Sequence, residues 1–229
     1  MCAGDATLRI EAADGSTTTI GLHHGTSIRW PERWKLDAEL SSPDDFADFL
    51  AALGWARYRD ELQARRDRAT DDARALERWI DAMPTPLKSQ ADAVLHVAPG
   101  ARTATLVGDL SSALGSDEAA AGALLRWLGC GKGPWSGFPS YEAVPTAMLT
   151  QLPVSVLVRV LEAELDPSQL LGAARYCASS AFRRNRKVVP RAVVARLQRF
   201  LDASGSTAQR DAFYAAFSRV VRGGGDARG

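Results

Sequence analysis

Ser116-Asp-Glu-Ala-Ala-Ala-Gly-Ala-Leu-Leu-Arg-Trp-Leu-Gly129 is the stretch that decides the fold class of this chain. A serine followed by two acids is typical of a helix start, because the hydroxyl can cap free backbone N–H groups and the acids suit the positive end of the helix dipole. The residues that follow repeat at helical spacing until a glycine ends the pattern. The apolar stripe consists of Ala121, Leu124, Leu125 and Leu128.

From this stretch to the C-terminus, the chain continues as short amphipathic segments. Asp166-Pro-Ser-Gln169 has the composition of a helix start, and Ser206 with Gln209 can form a capping box. Residues 154–161 alternate like a strand, but leucines at a four-residue step continue past them, so we predict a helix there. Residues 113–222 are therefore predicted to form an array of short antiparallel helices. The polar, glycine-rich tail, 223–229, is predicted to be disordered.

Upstream of the array, turn signals predict a small antiparallel sheet. Asp14-Gly15 separates two short alternating segments, 8–10 and 18–22, and Pro99-Gly100 separates 93–98 from 103–107, so we predict two hairpins in one sheet. Helices are predicted over 43–53 and about 55–80. The fold class is thus α+β and predominantly helical, with a sheet-and-helix N-terminal part over 1–112.

Composition excludes several function classes. The net charge is +1, the three cysteines are scattered, and the three histidines form no metal-binding spacing. The adjacent His23 and His24 would point to opposite faces of a strand and chelate poorly. No nucleophile motif is present, so we assign no catalytic residue, no metal and no cofactor. The N-terminus lacks a secretory signal and no apolar stretch could span a bilayer, so we expect a cytoplasmic protein without membrane contact.

Gly129-Cys-Gly-Lys-Gly-Pro-Trp-Ser-Gly137 is the most unusual segment. Its glycines and lysine suggest a phosphate loop, but the spacing is wrong and the segment follows a helix instead of a strand. It is either a structured interhelical loop, held by its aromatic residues, or a ligand or interaction loop. The candidate binding residues of this loop are Lys132, Trp135 and Phe138.

The charge distribution supplies a second candidate surface. Between Asp166 and Asp202 the chain has no acidic residue. The basic residues in this window could form a solvated face, could pair with acids of the N-terminal part, or could bind an anionic partner. The acids considered for internal pairing are Asp37, Glu39, Asp44, Asp45 and Asp48. The candidate anion-binding residues are Arg183, Arg184, Arg186, Lys187 and Arg191.

These observations favour a non-enzymatic protein-binding, adaptor or regulatory protein with a helical interaction surface. Its expected partner is another protein, contacted through an acidic surface. Two alternatives remain. One is a nucleic-acid-binding regulator that uses the basic segment 183–191. The other is an enzyme whose site residues are dispersed along the chain.

Overall fold

Helices dominate the computed structural model, which describes residues 6–23, 25–96, 101–133, 135 and 139–222. The described residues are 66% helical and include a small four-stranded antiparallel sheet, which confirms the predicted predominantly helical α+β class. Contacts divide it into two units, Met1–Arg74 and Ala75–Gly229. The predicted division into a sheet-and-helix part over 1–112 and a helical part over 113–222 stays a prediction. The predicted disordered tail, 223–229, lies outside the described residues.

Four strands and eleven α-helices lie within the described ranges. The strands are β1 Ala6–Glu11, β2 Thr17–His23, β3 Ser27–Arg29 and β4 Ala38–Glu39. The first helices are α1 Pro43–Ala52, α2 Arg57–Asp81, α3 Thr85–Lys88, α4 Ala91–Leu95, α5 Ala101–Leu114 and α6 Asp117–Gly129. The later helices are α7 Val144–Leu149, α8 Val154–Glu162, α9 Pro167–Ala178, α10 Arg191–Ser204 and α11 Thr207–Arg222. Two 3-10 turns, Ser140–Ala143 and Arg183–Val188, precede α7 and α10.

The sheet of the first unit is an antiparallel meander in the order β1-β2-β3-β4. Its first hairpin is confirmed: Leu8 pairs with Ile20, and Gly15 takes the positive φ of +81° that the tight turn requires. The segment that follows this hairpin contributes β3 and β4. Residues of β2, α1 and the first half of α2 form the core of this unit. They are Leu22, Ala47, Leu50, Tyr58 and Leu62.

The second predicted hairpin is wrong. Residues 91–95 and 101–114 form α4 and α5, while 97–100 lie outside the described residues. The buried positions of α5 are Thr103, Leu106, Val107 and Leu110. This spacing is helical: Thr103 and Val107 lie on the buried face of the helix, whereas Thr105 is exposed. The strand propensity of these residues did not decide their secondary structure, because packing against the helical core decides it for a short ambiguous segment.

Residues 154–161 are helical, as predicted. Val156, Leu157, Val160 and Leu161 are buried in α8, whereas Val158 is only half-buried, so the valines do not share one face as they would in a strand. The core of the second unit contains apolar residues from the end of α2 and from α3 to α11. Its two best-packed helices are α6 and α9, and they position the candidate site.

Across the described residues, no single helix has both the length and the apolarity of a membrane span. Ser140–Leu149 and Val154–Glu162 reach that composition only as a pair, and they are bent by 102° at the break between them.

Candidate functional site

A buried ion pair lies under the glycine-rich loop that follows α6. Arg175 Nη1 on α9 donates to Glu142 Oε2 at 2.8 Å, and the side chains are only 7% and 4% exposed. The backbone N–H groups of Lys132 and Gly133 donate to the same carboxylate at 3.0 Å. Arg175 Nη1 also lies 3.4 Å from the carbonyl oxygen of Leu128. The pair therefore satisfies both charges and fixes the path of residues 131–133.

Glycines make this arrangement possible. A Cβ at Gly129 would lie 1.9 Å from the carbonyl oxygen of Ser168, and one at Gly172 would lie 1.8 Å from that of Leu125. Because glycine has no side chain, Gly129 and Gly172 allow α6 and α9 to approach this closely. A Cβ at Gly131 would lie 2.3 Å from Arg175 Nη1, so the contact between the loop and the ion pair also depends on a glycine.

The loop borders a cleft of about 470 Å³ within the second unit. Its apolar surface comes from the end of α2 and the following Ala82, from α9 and from the end of α10, including Trp79, Leu171 and Phe200. The Trp79 ring packs on Trp127 with centroids 5.0 Å apart. In the described part of the chain, the buried Trp79 Nε1 has no hydrogen-bond acceptor. Arg78 and Lys132, both exposed, contribute the cations of the cleft.

The predicted loop residues separate in the structure. Lys132 lines the cleft, whereas Trp135 is half-buried, packs against the core and lines a smaller pocket with Glu142 and Arg175. Phe138 lies outside the described residues. Lys132 and Trp135 therefore line different pockets, and Glu142 lines both of them.

The cysteines of the second unit are poor nucleophiles. Burial raises the pKa of the Cys130 thiol above its usual value, although a hydrogen bond with Ser168 acts in the opposite direction. Burial raises the pKa of Cys177 to about 12. Both thiols are therefore protonated near neutral pH, and neither presents a reactive thiolate.

The basic segment 183–191 is an ordered turn. Arg183–Val188 is a 3-10 turn bracketed by the buried Phe182 and Val189. Arg186 is directed inward, where Nε donates to the carbonyl oxygen of Cys177 at 3.0 Å and Nη2 donates to Ala178 and Ser179 at 2.6 and 2.9 Å. Burial, and then the neighbouring Arg183, lowers the pKa of this guanidinium. Arg186 thus closes the C-terminal end of α9 instead of facing a partner.

The other four cations of the segment face solvent. They are Arg183, Arg184, Lys187 and Arg191. Among the residues that the structure describes, none of the four has an ion-pair partner.

Three of the acids considered for internal pairing have partners within the first unit. Asp37 is paired with Arg29 at 2.6 Å, Asp44 with Arg66 at 2.7 Å, and Asp48 with Arg59. The hydrogen bond from Arg29 is the main cause that lowers the pKa of Asp37, and Arg66 acts likewise on Asp44. These three carboxylates are therefore already paired within the first unit.

We expect the two kinds of arginine in this segment to respond differently to substitution. Arg186→Gln should lower the free energy of unfolding by about 2 kcal/mol, because several backbone carbonyl groups lose a charged donor. Arg184→Gln should change it by less than about 0.5 kcal/mol, because that side chain is exposed and unpaired. Urea unfolding of both variants measures the difference, and equal stability of the two would contradict the assignment of Arg186 to the end of α9.

Glu142 and Arg175 escaped the sequence reasoning, although one signal for Arg175 was present. Arg175 lies four residues after Leu171, on the apolar stripe of its helix, and a charge in that position needs a buried partner. Nothing in the sequence identifies Glu142 as that partner, because 33 residues separate the two.

Comparisons with protein-family models, with curated proteins and with solved structures give no match for this chain. The described residues contain no group of three or more histidines, cysteines or acids that could hold a metal ion.

Proposed function

We propose that this chain is a non-enzymatic protein-binding or adaptor protein that contacts an acidic surface through the exposed cations of residues 183–191. The observation that carries the proposal is the segregation of charge within residues 183–191. Arg186 is used internally, while Arg183, Arg184, Lys187 and Arg191 are exposed without acidic partners in the described part of the chain. We call these four residues the basic face.

The rigidity of the turn supports a binding role. Phe182 and Val189 bury the two ends of the turn, and Arg186 ties its middle to the end of α9. The backbone carrying the basic face is therefore ordered before any partner arrives, so binding costs less conformational entropy than it would for a flexible loop. Arginine also suits this task, because its planar guanidinium can bind carboxylates in a bidentate manner.

An acidic protein surface fits the charge of the chain better than nucleic acid does. The net charge is only +1, so the long-range field that attracts polyanions is weak. A local cluster of four cations is enough to pair with a few carboxylates on a folded partner.

The test removes the basic face and keeps Arg186. In one variant, Arg183, Arg184, Lys187 and Arg191 are all changed to glutamine. The matched control removes the same charge from four exposed cations elsewhere, by changing Arg9, Lys35, Arg68 and Arg102 to glutamine. Binding of a glutamate-rich peptide is measured by fluorescence anisotropy, and proteins that co-purify with each chain from its native lysate are quantified.

We expect the parent and the control to bind alike and the basic-face variant to bind at least about tenfold more weakly, with unchanged thermal stability. Binding of the basic-face variant at the parental level in both assays would reject the proposal. Selective binding to duplex DNA, with affinity falling at a log–log salt slope of about −4, would support the nucleic-acid alternative instead.

A further inference from the structure

The cleft beside the glycine-rich loop has the features of a ligand site. Its volume of about 470 Å³ lies in the range of small-molecule pockets. Trp79, Leu171 and Phe200 provide an apolar wall, and Ser168 and Ser204 add hydroxyl groups. A packing defect of this size would be expected to lack such a combination of apolar wall and polar rim.

The charges around the cleft are unbalanced. Arg78 and Lys132 are exposed and have no acidic partner among the residues that the structure describes. The one carboxylate in the lining, Glu142, already accepts from Arg175 and from two backbone N–H groups. Its negative charge is therefore compensated from below, and the rim presents two positive charges to a ligand.

The cleft is also largely preformed. The ion pair holds the backbone of Lys132, the glycine contacts lock α6 onto α9, and Trp79 is stacked on Trp127 at 5.0 Å. A ligand would consequently have to order little more than the two cationic side chains.

We propose that this cleft binds a small amphipathic anion, in which a single carboxylate or phosphate monoester is attached to an apolar body. The apolar body packs against Trp79, Leu171 and Phe200, and the anionic group is held by Arg78 and Lys132. This site is separate from the basic face and does not depend on the function proposed for it.

Calorimetric titration of the full chain with four probes tests the assignment. Decanoate and decyl phosphate, both below their micellar concentrations, represent the two anionic groups. Decan-1-ol carries the chain without charge, and acetate carries the charge without the chain. We expect saturable one-to-one binding of at least one anionic probe and binding at least about tenfold weaker for decan-1-ol and acetate. The stronger of the two anionic probes identifies the preferred head group.

Variants then locate the site. Arg78→Gln and Lys132→Gln should each weaken binding of the anionic probe about tenfold, because each removes a charged donor. Arg102→Gln, another exposed cation, should have no effect. Ala75→Phe places a ring in the cleft and should abolish binding while the chain stays folded.

Several results would overturn the proposal. These are the absence of saturable binding by both anionic probes, equal binding of decan-1-ol, or unchanged affinity in both cation variants. Loss of basic-face binding leaves these measurements unaffected, so the two proposals fail independently.

Discussion

Replacement of Gly172 by alanine is expected to destabilise the protein by at least about 3 kcal/mol, although alanine is the better helix former. Within a helix, alanine is normally favoured over glycine by about 1 kcal/mol. Here the new Cβ would lie 1.8 Å from the carbonyl oxygen of Leu125, and neither backbone can move without separating α6 from α9. Overpacking of this kind costs more than the gain in helix propensity. Urea unfolding followed by circular dichroism measures the change.

Gly108 supplies the matched control. It also lies inside a helix, α5, but a Cβ there would meet nothing within 4 Å. Gly108→Ala should therefore stabilise the protein by about 0.5–1 kcal/mol. Opposite signs for the two substitutions establish the close approach of α6 and α9. A Gly172→Ala variant as stable as the parent would show that these helices do not pack as described.

Removal of the Glu142 carboxylate is the second substitution with a large expected effect. Glu142→Ala leaves the Arg175 guanidinium buried without its counter-ion and leaves the N–H groups of Lys132 and Gly133 without their acceptor. Loss of one partner of a buried pair costs about 3–5 kcal/mol, mostly because the remaining charge is not solvated. Chemical unfolding gives the magnitude, and hydrogen exchange at the amides of Lys132 and Gly133 should become faster in the variant.

An exposed pair of the same chemistry provides the comparison. Glu118 and Arg159 are joined at 2.5 Å, but their side chains are 42% and 56% exposed. Glu118→Ala should therefore cost no more than about 1 kcal/mol. If Glu118→Ala and Glu142→Ala were equally destabilising, burial would not be what makes the Glu142 pair important. A double variant, Glu142→Leu with Arg175→Met, should recover much of the lost stability, because no uncompensated charge remains.

The pair of Glu142 and Arg175 shows how much of this site could be predicted from the sequence. The segment 129–137 stands out by composition, and its glycines and aromatic residues suggest either a structured loop or a ligand loop. The partner that holds it, Glu142, is an ordinary acid in a short 3-10 turn. Its role arises from a contact with Arg175 across 33 residues of chain, and a single sequence carries no record of such a contact.

The basic segment 183–191 could also be predicted only in part from the sequence. A run of cations without acids is visible directly, but five members that look equivalent in sequence divide into one half-buried residue that is bonded internally and four exposed residues. Arg186 differs from Arg184 only because the 3-10 turn directs it toward the free carbonyl oxygens at the end of α9. Turn geometry of this kind is set by the packing of Phe182 and Val189, which tertiary structure decides.

Sequence by itself determined the predominance of helix and the first hairpin, and it favoured a helix over a strand for residues 154–161. Each of these depends on local periodicity or on a turn residue, and local interactions are sufficient to specify them. Tertiary structure alone decided the helical state of residues 101–114, the approach of α6 to α9, and the buried pair of Glu142 and Arg175. These depend on contacts between residues far apart in the chain, where burial and close packing outweigh the preferences of each segment.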